Sequence, residues 1–185
     1  AYYSSGGPGN RGIIKPDVVA PGTRIMSAKS VKGNNETHGC RDNGISDVTT
    51  KEGTSQATPN VAGAAALISQ YFQSGKWKYL HTPDSSTVRT LLINSCRHPM
   101  DSKTPDVLYG HGVVDLSTVL PLAHEFGVQI TRLASISEND HQVASLFVNS
   151  RNSKVQITMS YLDPMMDMYT PLLLTHDLDL IVVSP

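Results

Sequence analysis

"GTSQATPNVAG", residues 53–63, decides how the rest of the chain is read. It sets Ser55 beside Thr54, follows with Thr58 and Pro59, and runs into the block Ala64, Ala65, Ala66. The apolar spacing behind it predicts a helix over 55–72, with Ser55 where that helix begins. Backbone N–H groups at a helix start lack intrahelical partners, and the helix dipole presents its positive end there. A negative charge arising beside Ser55 is therefore stabilised. Pro59 falls within the first turn or just past it, where a missing N–H costs least. Ala57, Ala62, Gly63 and the alanines that follow keep the rod thin. Glycine inside a helix is about 1 kcal/mol less favourable than alanine, so Gly63 predicts close approach of another backbone and a buried helix. That arrangement suits a nucleophile whose own N–H helps to hold the oxyanion of a tetrahedral intermediate. Taken alone, the same residues also fit a plain N-cap serine on a tightly packed helix. The stretch departs from the G-x-S-x-G nucleophile elbow as well, since Ala57 stands where the second glycine belongs.

Around that stretch the composition sets only broad bounds. The 185 residues correspond to one domain, or to one domain and part of a second. Lys and Arg number 15 against 16 Asp and Glu, with no block of like charge, so nothing points to a nucleic-acid footprint or an anionic membrane patch. No apolar run approaches the ~20 residues that span a bilayer, and no signal segment opens the chain at Ala1. Two cysteines, Cys40 and Cys96, allow one disulfide or two free thiols; the absence of a constraining spacing favours free thiols slightly.

The pattern along the chain changes once, near residue 125. Before it, short apolar runs alternate with helical spacing, as in an α/β layer protein. "DVVA" (17–20) and "RIMSA" (24–28) read as short buried strands or strand ends, punctuated by Pro16 and Pro21-Gly22. A loop rich in Gly, Asn and Asp follows over 32–47. In "DSSTVRTLLINSC" (84–96), Val88, Leu91, Leu92 and Cys96 fall on one helical face, and Asp84 or Ser85 is placed to cap it. "YGHGVVDLSTVLPLA" (109–123) reads as a glycine-lined turn and a short helix that Asp115 caps and Pro121 disturbs. After Glu125, "VQITRLASI", "QVASLFVNS", "KVQITMSYLD" and "DLDLIVVSP" are short, β-branched and partly alternating, which predicts strands of a sandwich. Four such segments are few for a closed sandwich, so the expectation is a second domain cut short at Pro185.

The opening stretch resembles the pattern around the nucleophile of subtilisin-like serine proteases, G-T-S-x-A-T/S-P-x-V-A-G, at every fixed position. "SSGGPGNRGIIKPDVVAPGTRIMSA" (4–28) is similar to the family stretch that precedes the nucleophile, S-S-x-G-P and then K-P-D-V-x-A-P-G. "YGHGVVDL" is similar to the turn that closes the catalytic domain, and "THDLDLIVVSP" to a strand of the sandwich behind it in some members. The resemblance covers most of 1–123 and, more weakly, 128–185. It implies an α/β fold: residues 1–124 as the C-terminal part of a parallel-sheet catalytic domain, and 125–185 as the start of an all-β jelly-roll or sandwich domain.

The same resemblance implies peptide-bond hydrolysis with Ser55 as nucleophile and its backbone N–H as one oxyanion donor. Protein or peptide is then the substrate, and secretion or an extracytoplasmic location follows from relatives. In this family the triad Asp, the triad His and the oxyanion Asn precede this region, so they are expected upstream of Ala1, and the fragment alone is expected to be inactive. His38 in "ETHGC" lies in the wrong order for the base; His81, His98, His111, His124, His141 and His176 have no better claim, and Asp17 belongs to the scaffold. The chemistry needs no cofactor. Structural calcium is common in the family, and Asp177 and Asp179 share a strand face, but a solvated face explains them equally, so no ligand is assigned. Met159, Met165, Met166 and Met168 read as gap-fillers or loop residues. Two other classes stay open: a catalytically dead relative that keeps the nucleophile block as packing, and a sandwich binding module. The latter needs an aromatic platform, for which 128–185 offers only Phe147, Tyr161 and Tyr169, dispersed in sequence.

Overall fold

The computed structural model of the chain describes residues 1–29, 48–75, 82–99, 105–120, 128–133, 135–148, 154–164 and 174–183. Its elements are strands β1 (Ile25–Ala28) and β2 (Val48–Lys51) and helices α1 (Thr54–Gln73) and α2 (Ser85–Asn94). A 3-10 turn at Leu116–Thr118 follows α2.

The described strands differ from the parallel sheet that was expected. β1 and β2 run antiparallel, in a register that sets Ile25 opposite Lys51 and Ala28 opposite Val48. Of the two, only Thr49 is buried, and Met26 is 70% exposed, so β1 is not the buried strand that its apolar residues predict. Residues 17–20 form no strand. Val19 makes a single parallel bridge to Val113, with Val19 N donating to Gly112 O (2.9 Å) and Val114 N to Val19 O (3.2 Å). Two residues further on, Pro21 has no N–H with which to extend such a ladder.

Helix α1 exceeds the predicted 55–72 by one residue at each end and buries only its C-terminal half. Ile68 and Phe72, one turn apart, are wholly buried against Leu91 of α2 and against Val119 and Leu120 beyond the 3-10 turn. Val88, Leu92, Leu116 and Ile130 pack on this cluster. The N-terminal half was expected to be buried and is not. Ala62, Gly63 and Ala66 are exposed, and nothing among the described residues lies within 4 Å of where a Cβ on Gly63 would sit. Among the described residues the thin rod thus has an open flank, and the core cluster on α1 forms around Ile68 and Phe72.

Helix α2 begins as predicted. Asp84 is its N-cap and accepts from Thr87 N at 2.7 Å, while Arg132 donates to the other carboxylate oxygen at 2.6 Å. The predicted face is on the core, with Leu91 and Cys96 buried and Val88 and Leu92 partly so; Ile93 is buried as well. Asp115 caps the 3-10 turn by accepting from Ser117 N at 3.0 Å, and Pro121 lies outside the described residues.

Beyond residue 120 the described residues contain no strand ladder. They are fastened to α2 instead. Ser86 Oγ donates to Ser160 O (2.9 Å), and Asn94 Nδ2 donates to Thr158 Oγ1 (2.9 Å) and Gln156 O (3.2 Å). Val143, Phe147 and Val183 remain more than four-fifths exposed. Phe147 does not form an aromatic platform with Tyr161, which donates to His176 O at 2.7 Å; Tyr169 lies outside the described residues.

Candidate active site

Strand β2 delivers the chain to α1 through Glu52 and Gly53. Gly53 is the N-cap at φ 146° and ψ 169°, a conformation that residues with a Cβ rarely adopt. Its N–H donates to Gly22 O at 2.9 Å, and its own carbonyl accepts from Gln56 N (3.1 Å) and Ala57 N (3.4 Å). Gly22 is equally constrained: a Cβ there would lie 2.6 Å from Gly53 O and 3.1 Å from Ala57 Cβ. The Ala20-Pro21-Gly22 segment is therefore laid flush against the start of α1.

Ser55 is the second residue of the helix and is exposed. Neither its N–H nor its hydroxyl has a hydrogen-bond partner among the described residues. The first turn carries no acidic side chain, so nothing there offsets the positive end of the 20-residue dipole. Pro59 stands sixth in the helix, just past its first turn. Having no N–H, it returns no bond to the Ser55 carbonyl, at a cost in helix stability that a proline nearer the N-terminus avoids. Thr58 Oγ1 donates to Thr54 O at 3.0 Å, and Asn60 Nδ2 donates to Pro21 O (2.8 Å) and Gln56 O (3.3 Å). Sequence reading passed over Asn60; its signal was a polar residue one turn from Ala57 in an otherwise apolar, small-residue run.

None of the described histidines reaches Ser55. His98 Nε2 pairs with Asp106 Oδ2 at 2.9 Å, edge-on to the Tyr109 ring. Asp106 also accepts from Leu108 N (2.8 Å) and Tyr109 N (2.6 Å), which makes it the pin of a turn. Those bonds, that from Tyr109 first, hold its carboxyl below its ordinary pKa against a smaller opposing effect of burial. His176 pairs with Asp163, His141 is exposed, and burial lowers the pKa of His111, whose backbone N–H donates to the Asp17 carbonyl at 2.9 Å. His38, His81 and His124 lie outside the described residues.

Asp17 behaves as scaffold. It pairs with Lys15 and with Arg89 Nη2 of α2 (2.6 Å). Burial works against its ionisation, but the hydrogen bonds and charges of Lys15 and Arg89 together outweigh it and keep the carboxyl below its ordinary 3.8. Beside it, Gly110 has φ 57°, and a Cβ there would fall 2.0 Å from Pro16 O, so the glycine turn is pressed against this segment. Cys96 is a free, buried thiol that burial pushes up to about 11; Cys40 lies outside the described residues. Asp177 and Asp179 are exposed, and among the described residues no three His, Cys, Asp or Glu side chains come together. Met159 is 40% exposed, and Met165, Met166 and Met168 lie outside the described residues. No described helix is long and apolar enough to cross a membrane.

Comparison with known proteins bears on the same segments. The family model described as "Subtilase family" matches residues 1–112. The serine protease/ABC transporter B family protein tagA of Dictyostelium discoideum is 27% identical over 201 aligned residues, covering 100% of this chain and 11% of that protein. Serine protease AprX of Bacillus subtilis (strain 168) is 36% identical across 65% of the chain and 25% of its own length. Subtilisin-like protease SBT4.9 of Arabidopsis thaliana is 33% identical across 69% of the chain and 18% of its own length. The chain thus spans a quarter or less of each of these relatives. A match of the family model to more than half of the residues, Ser55 and its flanking glycines among them, places this chain in the subtilase family of serine proteases.

Proposed function

We propose that Ser55 is the nucleophile of a serine endopeptidase whose triad His and Asp, and whose second oxyanion donor, are supplied by residues preceding this segment in the whole protein. The observation that carries this reading is the Ser55 N–H and hydroxyl, both without a hydrogen-bond partner among the described residues, on an exposed residue at the positive end of α1. Ser55 Oγ attacks the scissile carbonyl carbon as its proton passes to the histidine. The oxyanion that forms is held by the Ser55 N–H, and the histidine returns the proton to the leaving amine. Water then cleaves the acyl-enzyme and restores the hydroxyl. The chemistry uses no cofactor; the substrate is protein or peptide, and the location secreted or extracytoplasmic. Residues 1–124 act as the C-terminal part of the catalytic domain and 125–185 as the beginning of a β-sandwich that accompanies it.

In the full-length protein, Ser55→Ala is expected to abolish peptide hydrolysis and to change stability by less than about 2 kcal/mol, because the site is exposed and its hydroxyl supports no contact. Hydrolysis retained by a folded Ser55→Ala protein would select the other reading, a relative that keeps this block only as scaffold.

A further inference from the structure

We infer that Asn60 is a positioning residue for catalysis: its amide clips the first two turns of α1 to the Pro21 carbonyl and so fixes where the Ser55 hydroxyl and N–H point. This deepens the reading of Ser55 as nucleophile and rests on it. Asn60 Nδ2 donates both to Pro21 O (2.8 Å) and to Gln56 O (3.3 Å), so one amide joins the 20–22 segment to the turn that contains Ser55. A second attachment lies two turns earlier, where Gly53 N donates to Gly22 O and Gly22 leaves no room for a Cβ against Gly53 O and Ala57. Ala57 and Asn60 are three residues apart and share a helical face. Ser55 lies roughly 140–200° away from them at 100° per residue, so the helix is gripped on one side and presents the serine on the other.

The clip acts where little else does. Among the described residues the apolar core holds α1 only from Ile68 onward, and Pro59 withdraws the helical hydrogen bond due to the Ser55 carbonyl. Between Gly53 and Ile68, Asn60 is the described side chain that ties α1 by a hydrogen bond to a segment outside the helix. Displacement of a nucleophile and oxyanion donor by a fraction of an ångström is felt in the transition state more than in ground-state binding.

The test uses the full-length protein, with active Ser55 counted by the burst of a fluorophosphonate probe. Asn60→Leu removes the donor at similar volume on an exposed helical site. Asn60→His keeps an N–H, on Nδ1, at the same distance from the backbone. Asn60→Leu is expected to lower kcat per titrated site about tenfold with KM within about twofold, and Asn60→His to recover most of that loss. A kcat per titrated site unchanged in Asn60→Leu, with only a lower melting temperature or fewer titratable sites, assigns Asn60 a purely structural role and overturns the inference. So does a folded Asn60→His protein as slow as Asn60→Leu. Failure of the nucleophile reading is seen separately and earlier, as a wild-type protein that gives no burst.

Discussion

Gly53 and Gly22 show how narrowly the serine is placed. Gly53 holds a φ of 146° that residues with a Cβ rarely adopt, and a Cβ on Gly22 would collide with the Gly53 carbonyl. Gly22→Ala must push the 20–22 segment away from α1, and backbone atoms do not yield as side-chain tips do. It is expected to cost about 1–3 kcal/mol in stability and to lower kcat more than it raises KM, measured by denaturant unfolding and steady-state kinetics on the same preparation. A helix start beside Ser55 was legible from sequence, because a polar, small-residue stretch runs there into an apolar helical period. Asn60 was not. Its role depends on Pro21, 39 residues away, and no local pattern discloses that partner. Asp17 carries a pH signature at this scale. Its folded pKa lies below the ordinary 3.8, so its contribution is complete above that value and is lost as pH falls through the folded one. The stability gap between wild type and Asp17→Asn is therefore expected to close below about pH 4, as read from melting temperature against pH.

Helix α1 is two things joined end to end: a gripped, polar N-terminal half that presents the serine, and an apolar C-terminal half that holds the molecule together. Phe72 is wholly buried in that second half. Phe72→Ala is expected to cost about 3–5 kcal/mol, seen as a loss of cooperative unfolding in so small a core, whereas Ala62→Ser on the exposed flank should change stability by less than about 0.5 kcal/mol. Helix existence and capping were legible because both are local: Asp84 and Asp115 serve the N–H groups two or three residues on, as their spacing foretells. The exposure of the Gly63 flank was not, since glycine in a helix reports permission for close approach and not the presence of a neighbour. Strand β2 also escaped the reading. Four residues, Val48–Lys51, are too short to show a period, and only pairing with β1 defines them.

At the scale of the whole molecule, the glycine turn, α2 and the segments after residue 128 form one framework around the C-terminal half of α1. Asp17 joins Arg89 of α2, Gly110 and Gly112 fit against Pro16 and Arg97, and Asp84, Ser86 and Asn94 engage Arg132, Ser160 and Thr158. The α/β class was legible because alternating apolar runs and helical spacing survive in any such segment. Its described sheet was not, because the antiparallel pairing of β1 with β2 joins two four-residue strands that no local period announces. The central claim is that the exposed hydroxyl at the head of this framework attacks carbonyl carbon, and covalent labelling tests it most directly. Full-length protein is treated with a fluorophosphonate, digested, and the adduct located by mass spectrometry. The account predicts a single adduct on Ser55 that appears together with loss of hydrolysis; a folded, proteolytically active protein left unmodified at Ser55 would contradict it.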